Sequence, residues 1–158
     1  AMCALNPPTS LNDHDQQEIA SRAIAAMSRL ANGANAYLMI LLGGARCGNE
    51  CLKIYASNRE VAISCFRIFR GLLVNPSTMV RLRKQQRFKT LPKVVCASVH
   101  MHYSDMEVCG EAANMLWAAA GVGGTDIQDR TMAAGAVDFI RDSLSRPKED
   151  DPTGKHTK

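Results

Sequence analysis

The stretch EVCGEAANMLWAAAG, residues 107–121, decides how this chain is read. It is helical in pattern and carries no charge after Glu111. Trp117, the only tryptophan, stands beside an alanine-rich seam. Two other segments align with it: EIASRAIAAMSRLA from Glu18 and EVAISCFRIFRGLL from Glu60. Each opens with Glu, a branched aliphatic and a small residue. Small residues then recur at Ala23, Cys65 and Ala112, and large apolar ones at Met27, Phe69 and Leu116. A further column holds Leu30, Leu72 and Ala119. Steps of three and four residues place these columns on one helix face.

A second register follows the first. Leu52, Val94 and Ile140 sit in CGNECLKIYAS, FKTLPKVVCASV and AGAVDFIRDSL, each of which reads as an amphipathic helix. Pro92 is expected in the early turns of its helix, where a missing N–H costs little. Between the two registers lie shorter linker helices, NAYLMILLGGAR, TMVRLRKQQR and DIQDRTMA. The chain therefore reads as long helix, short helix, medium helix, repeated.

These residues carry a resemblance. EAANMLWAAA followed by AGAVDFIRDSL resembles the armadillo repeat, with HEAT repeats sharing its period. The match is best over 105–146, fair over 59–100 and loose over 16–57. The resemblance implies an all-α chain folded as a right-handed α-solenoid of armadillo-like three-helix repeats, about nine helices in all. An N-terminal extension or cap over 1–15, a repeat domain over 16–146 and a disordered tail over 147–158 are expected. The look of both ends suggests a fragment of a longer array. A lone repeat cannot bury its apolar face, so each copy leans on its neighbour.

Composition agrees with helices. Apolar residues make up 46% and aromatics 5%, with alanine, leucine and methionine in their place, which suits packed helices better than sheets. A net charge of +4 is too mild to mark nucleic-acid binding by itself. The six cysteines, at 3, 47, 51, 65, 96 and 109, fall mostly within apolar patterns and act as small hydrophobes. They fit a reducing compartment, so an intracellular, cytoplasmic location is expected, with the nucleus as the other choice. No apolar run is long enough to span a bilayer, and no membrane partner is expected.

Catalytic signals are poor. GVGGTD, residues 121–126, lacks the Lys-Ser/Thr of a phosphate-binding loop and reads as a flexible turn. No serine sits in a nucleophile elbow. His100, His102, Cys96 and Cys109 lie close in sequence, and Cys47 and Cys51 are one helical turn apart, yet no CxxC pair marks a zinc site. No enzyme, cofactor or metal is expected.

In the armadillo resemblance, certain positions of the long helices line a concave groove. Carried over, the first row is Arg22, Ser64 and Glu111, and the second is Ala25, Arg67 and Asn114. The third is Ser28, Arg70 and Trp117, and the last is Arg29, Gly71 and Ala118. The implied partner-binding groove is thus Arg22, Arg29, Arg67, Arg70, Asn114 and Trp117. Arginine forks suit carboxylates or phosphates, and exposed Trp is a common anchor. The Trp and Asn columns of importin-α-type repeats are not reproduced here, which argues against a receptor for basic signals. The expected partner is a protein or peptide segment, extended and acidic or phosphorylated. A second reading is nucleic-acid binding through the basic patch Arg81, Arg83, Lys84, Arg87 and Lys89, in which Phe88 is the sole interleaved aromatic. A third is self-association through the solenoid ends.

Overall fold

The computed structural model describes residues 13–145, apart from the side chains of Gln86, Arg87, Ser143 and Leu144. The tail expected over 147–158 and most of the expected N-terminal cap lie outside the described residues. Asp13–Asp15, assigned above to that cap, already belong to the first helix.

Among the described residues there are nine helices and no strand. They are α1 (Asp13–Leu30), α2 (Asn35–Leu41), α3 (Gly44–Ile54), α4 (Arg59–Val74), α5 (Pro76–Arg83), α6 (Gln86–Met101), α7 (Met106–Gly123), α8 (Thr125–Ala133) and α9 (Ala136–Ser145). Side-chain caps mark several of the starts. Asn58 accepts from the Val61 N–H at 3.1 Å, Asn75 from Ser77 at 3.0 Å, and Asp105 from Glu107 and Val108 at 3.0 and 3.1 Å. Each cap satisfies donors that a helix N-terminus leaves open. Pro76 follows Asn75 at a position where its absent N–H costs nothing.

The packing repeats with a step of three helices. The long helices form one row, α1 on α4 and α4 on α7, and α3, α6 and α9 form another. Helix α2 packs on α5. Within each unit the medium helix also packs on the long helix that follows it, α3 on α4 and α6 on α7. Helix α4 is the centre of the described structure. Val61, Cys65, Ile68 and Leu72 on one side and Ala62, Phe66 and Leu73 on the other are almost fully buried. Each large apolar side chain so buried contributes about 1.5–3 kcal/mol.

The three aligned copies are not equally covered. Val61 and Val108 are fully buried, whereas Ile19 in the same column is 55% exposed. Leu72 and Ala119 are buried, whereas Leu30 is 53% exposed. Cys65 and Ala112 are buried, whereas Ala23 is open. The columns are thus one face in α4 and α7, as expected, but in α1 that face looks outward because no helix of the α3 type stands in front of it among the described residues.

Four local expectations need correction. NAYLMILLGGAR is not one linker helix: Gly43 takes φ 81°, open to glycine without strain, and splits α2 from α3. GVGGTD is not a flexible turn throughout, since α7 runs through Gly123 and only Gly124 leaves the helix. TMVRLRKQQR is cut by a turn at Lys84–Gln85, so its residues divide between α5 and α6. Pro92 is the seventh residue of α6, well inside the helix. A proline there costs about 3 kcal/mol. Burial of Phe88 and Leu91 in the turns before it offsets that cost and holds those turns helical.

Candidate interaction surface

The sequence-derived groove residues fall on the row α1–α4–α7. What they do there is set by the junction of α4 with α7. Arg59 opens α4 and reaches across to α7. Its Nε donates to Asp105 Oδ2 at 2.6 Å, one Nη donates to Glu60 at 2.7 Å, and the other donates to Glu107. Two turns on, Arg67 Nε donates to Glu111 Oε1 at 2.8 Å and its Nη2 donates to Glu107 Oε1 at 3.1 Å. One turn later, Arg70 Nη1 stands 3.3 Å from Glu111 Oε2. That last contact is an ion pair outside hydrogen-bonding geometry, because Glu111 Oε2 is buried without a hydrogen-bond partner. Three arginines of one helix therefore face three acids of the next, with Glu111 the most enclosed member.

The protonation equilibria follow. Hydrogen bonds donated to Glu107, Asp105 and Glu60 push the Arg59 guanidinium above its already high range. The bond to Glu111 does the same for Arg67. Asp105 is held below the usual carboxylate range, first by the Val108 N–H it caps and then by Arg59. Arg59, Arg67 and Asp105 are therefore charged at neutral pH.

The other predicted positions divide. Asn114 and Trp117 lie on the exposed side of α7, and Trp117 is 78% exposed. Arg22 is exposed on α1 and bonds Glu18 one turn away, and Arg29 is exposed near the end of that helix. Ser64 and Ala118, placed in the groove rows by alignment, are buried instead. Ser64 lies on α4, which packs between α1 and α7, and Ala118 on α7, which packs on α4, α6 and α8. Gly71, in the last row, is a packing residue: a Cβ there would meet the Ala31 carbonyl oxygen at 1.8 Å. Its lack of a side chain lets α4 approach the end of α1.

The sequence-derived basic patch spans α5, the turn after it and the first turn of α6. Arg81 lies over the Tyr37 ring, 5.2 Å from its centroid. Arg83 and Lys84 are exposed, Lys89 is half-buried on α6, and the Arg87 side chain lies outside those described. Phe88 is buried, which removes the single aromatic that base stacking would have used.

Most of the described cysteines are packing groups. Cys65, Cys96 and Cys109 are buried, Cys51 is half-buried and Cys47 exposed. Burial, with Cys47 nearby, pushes the Cys51 thiol up to about 11, and burial pushes Cys96 to about 11 and Cys65 higher still. Such thiols are poor nucleophiles at neutral pH. His102 Nε2 lies 2.8 Å from the Ala56 carbonyl oxygen, tying α6 to the turn before α4. Among the described residues no group of three His, Cys, Asp or Glu side chains is placed to hold a metal ion. No described helix is long and apolar enough to cross a membrane.

Pairing of Arg67 and Arg70 with nearby acids is an alternative the sequence allows; which acids form the ladder is what sequence reading did not resolve. The signal was present: Arg59, Arg67 and Arg70 mirror Asp105, Glu107 and Glu111 once the two helices are set side by side. The alignment matched like positions in successive copies, whereas pairing joins unlike positions across a junction. No protein-family model, curated protein or solved structure matches the chain significantly.

Proposed function

We propose that the nine helices build a right-handed armadillo-like solenoid and that the chain is a non-enzymatic scaffold for protein interactions inside the cell. The three-helix step in packing supports the first part, since it is what stacked repeats produce. The partner is an extended acidic or phosphorylated segment lying along the row α1–α4–α7. The observation that carries this reading is Trp117, more than three-quarters exposed on the helix that also carries the arginine–acid ladder. A rigid aromatic in that position offers a large contact area at little entropic cost and is a frequent anchor of interfaces.

The ladder refines the mechanism. Arg67 and Arg70 already hold Glu107 and Glu111, so an incoming carboxylate or phosphate binds by exchange. A phosphate carries more charge and more acceptor oxygens than the glutamate it displaces, so exchange favours a phosphorylated segment over an acidic one. Water is excluded by the aliphatic part of the segment packing near Trp117.

Trp117 is the only tryptophan, so its fluorescence reports the groove alone. Titration with acidic and phosphorylated peptides is expected to shift its emission to shorter wavelength, the phosphorylated ones at lower concentration. Arg67→Gln with Arg70→Gln should abolish the shift while helicity by circular dichroism stays unchanged. Glutamine is the better replacement, because glutamate would set new carboxylates against Glu107 and Glu111. An emission unmoved by every peptide, or a shift indifferent to the double variant, overturns the groove.

A further inference from the structure

The two ends of the described stack are unlike each other and complementary. At one end, α1 presents the columns that α4 and α7 bury, with Ile19 and Leu30 both more than half exposed. Beside them opens an apolar cleft of about 490 Å³ lined by Met27, Leu30, Leu38 and Leu42, the last 86% exposed. At the other end, α9 exposes Val137 and Ile140, one turn apart. Ile140 stands in the column of Leu52, which is fully buried in α3. In the interior, α3 packs on α4 and α6 on α7, each medium helix turning through a short loop into the long helix it covers. Helix α9 is the third medium helix and has no long helix after it among the described residues. Helix α1 is a long helix with no medium helix before it among them.

We propose that copies of this chain associate head to tail, the α9 face of one seating on the α1 face and adjoining cleft of the next. The contact continues an interface the chain already makes twice within itself. Charge order agrees with the antiparallel pairing of those interior helices. Helix α1 runs from Asp13, Asp15 and Glu18 to Arg22 and Arg29, and α9 runs from Asp138 to Arg141. Antiparallel seating in the register of those pairs brings Arg141 toward Glu18 and Asp138 toward Arg22. The two patches differ, so the association is heterologous and does not stop at a dimer unless it closes into a ring. The inference rests on the repeated packing and not on the groove, so its failure leaves peptide binding at Trp117 untouched.

The test is sedimentation of the full chain across a dilution series. The mean mass should rise above the 17.2 kDa of one chain as concentration rises. Leu30→Glu blocks the α1 face and Ile140→Glu the α9 face, and each variant alone should stay monomeric. Mixed in equal amounts, they retain one intact face each and should form a dimer of twice that mass and nothing larger. Both positions are exposed, so helicity should persist; Val137→Glu replaces Ile140→Glu if that variant loses it. A wild-type mass that does not change with concentration overturns the proposal. So does a mixture that stays monomeric, or association abolished by Leu30→Glu but not by Ile140→Glu. The last result assigns the α1 face to a like face or to another segment.

Discussion

The α1–α4 and α4–α7 junctions join the same kind of helix and are held by different means. The first relies on absence of bulk: Gly71 lies against the Ala31 carbonyl, and Asn75 Nδ2 donates to the Gly33 carbonyl at 2.8 Å. The second relies on charge: Arg59, Arg67 and Arg70 meet Asp105, Glu107 and Glu111. A steric junction tolerates no added atom. A charged junction at a partly wet surface tolerates substitution and can exchange its partners. Of the two, the charged junction holds the arginines that the proposed exchange would use.

The sharpest break of this comparison is Gly71→Ala. Alanine is the better helix former by about 1 kcal/mol, yet its methyl group cannot fit. A net loss of about 2–3 kcal/mol is expected in urea unfolding, seen as a lower midpoint at unchanged slope. A neutral or stabilising result would show that α1 is not held so close.

Glu111→Ala comes next. It removes the ion-pair partner of Arg70 and one of the two acids held by Arg67, and should cost about 1–2 kcal/mol because both arginines remain partly solvated. The same variant should strengthen binding of acidic peptides, since the arginines no longer need to be won from Glu111. Weaker peptide binding with the fold intact would contradict the exchange mechanism.

The smallest effect is that of Asp105→Ala, about 1 kcal/mol for the lost cap of α7. Its pH dependence sharpens the assignment. Asp105 is held below its ordinary range in the folded chain, so its contribution is full above the unfolded carboxylate value of about 4. That contribution is lost as pH falls through the lower folded value. The stability difference between wild type and Asp105→Ala should therefore be constant near neutral pH and shrink in strong acid. A difference that grows on acidification would mean that another group provides the cap.

Much of this was legible beforehand. The columns at Cys65 and Ala112, Phe69 and Leu116, and Leu72 and Ala119 name the buried face of α4 and α7, because side-chain direction along a helix follows from backbone geometry alone. Three features were not legible. Pro92 was expected early in its helix, but the start of α6 is held by burial of Phe88 and Leu91, which local propensity does not report. Ser64 and Ala118 were expected at a surface and are covered by neighbouring helices. Arg67 and Arg70 were placed in a partner-binding groove, and the acids that engage them lie forty or more positions away in the chain.

The sequence by itself determined that the described chain is helical and which residues share a face, since periodicity acts within a few residues. Only the tertiary structure decided which of those faces are covered. Ile19, Val61 and Val108 occupy one column, and their exposure differs because burial depends on what stands opposite, which no residue's local surroundings specify.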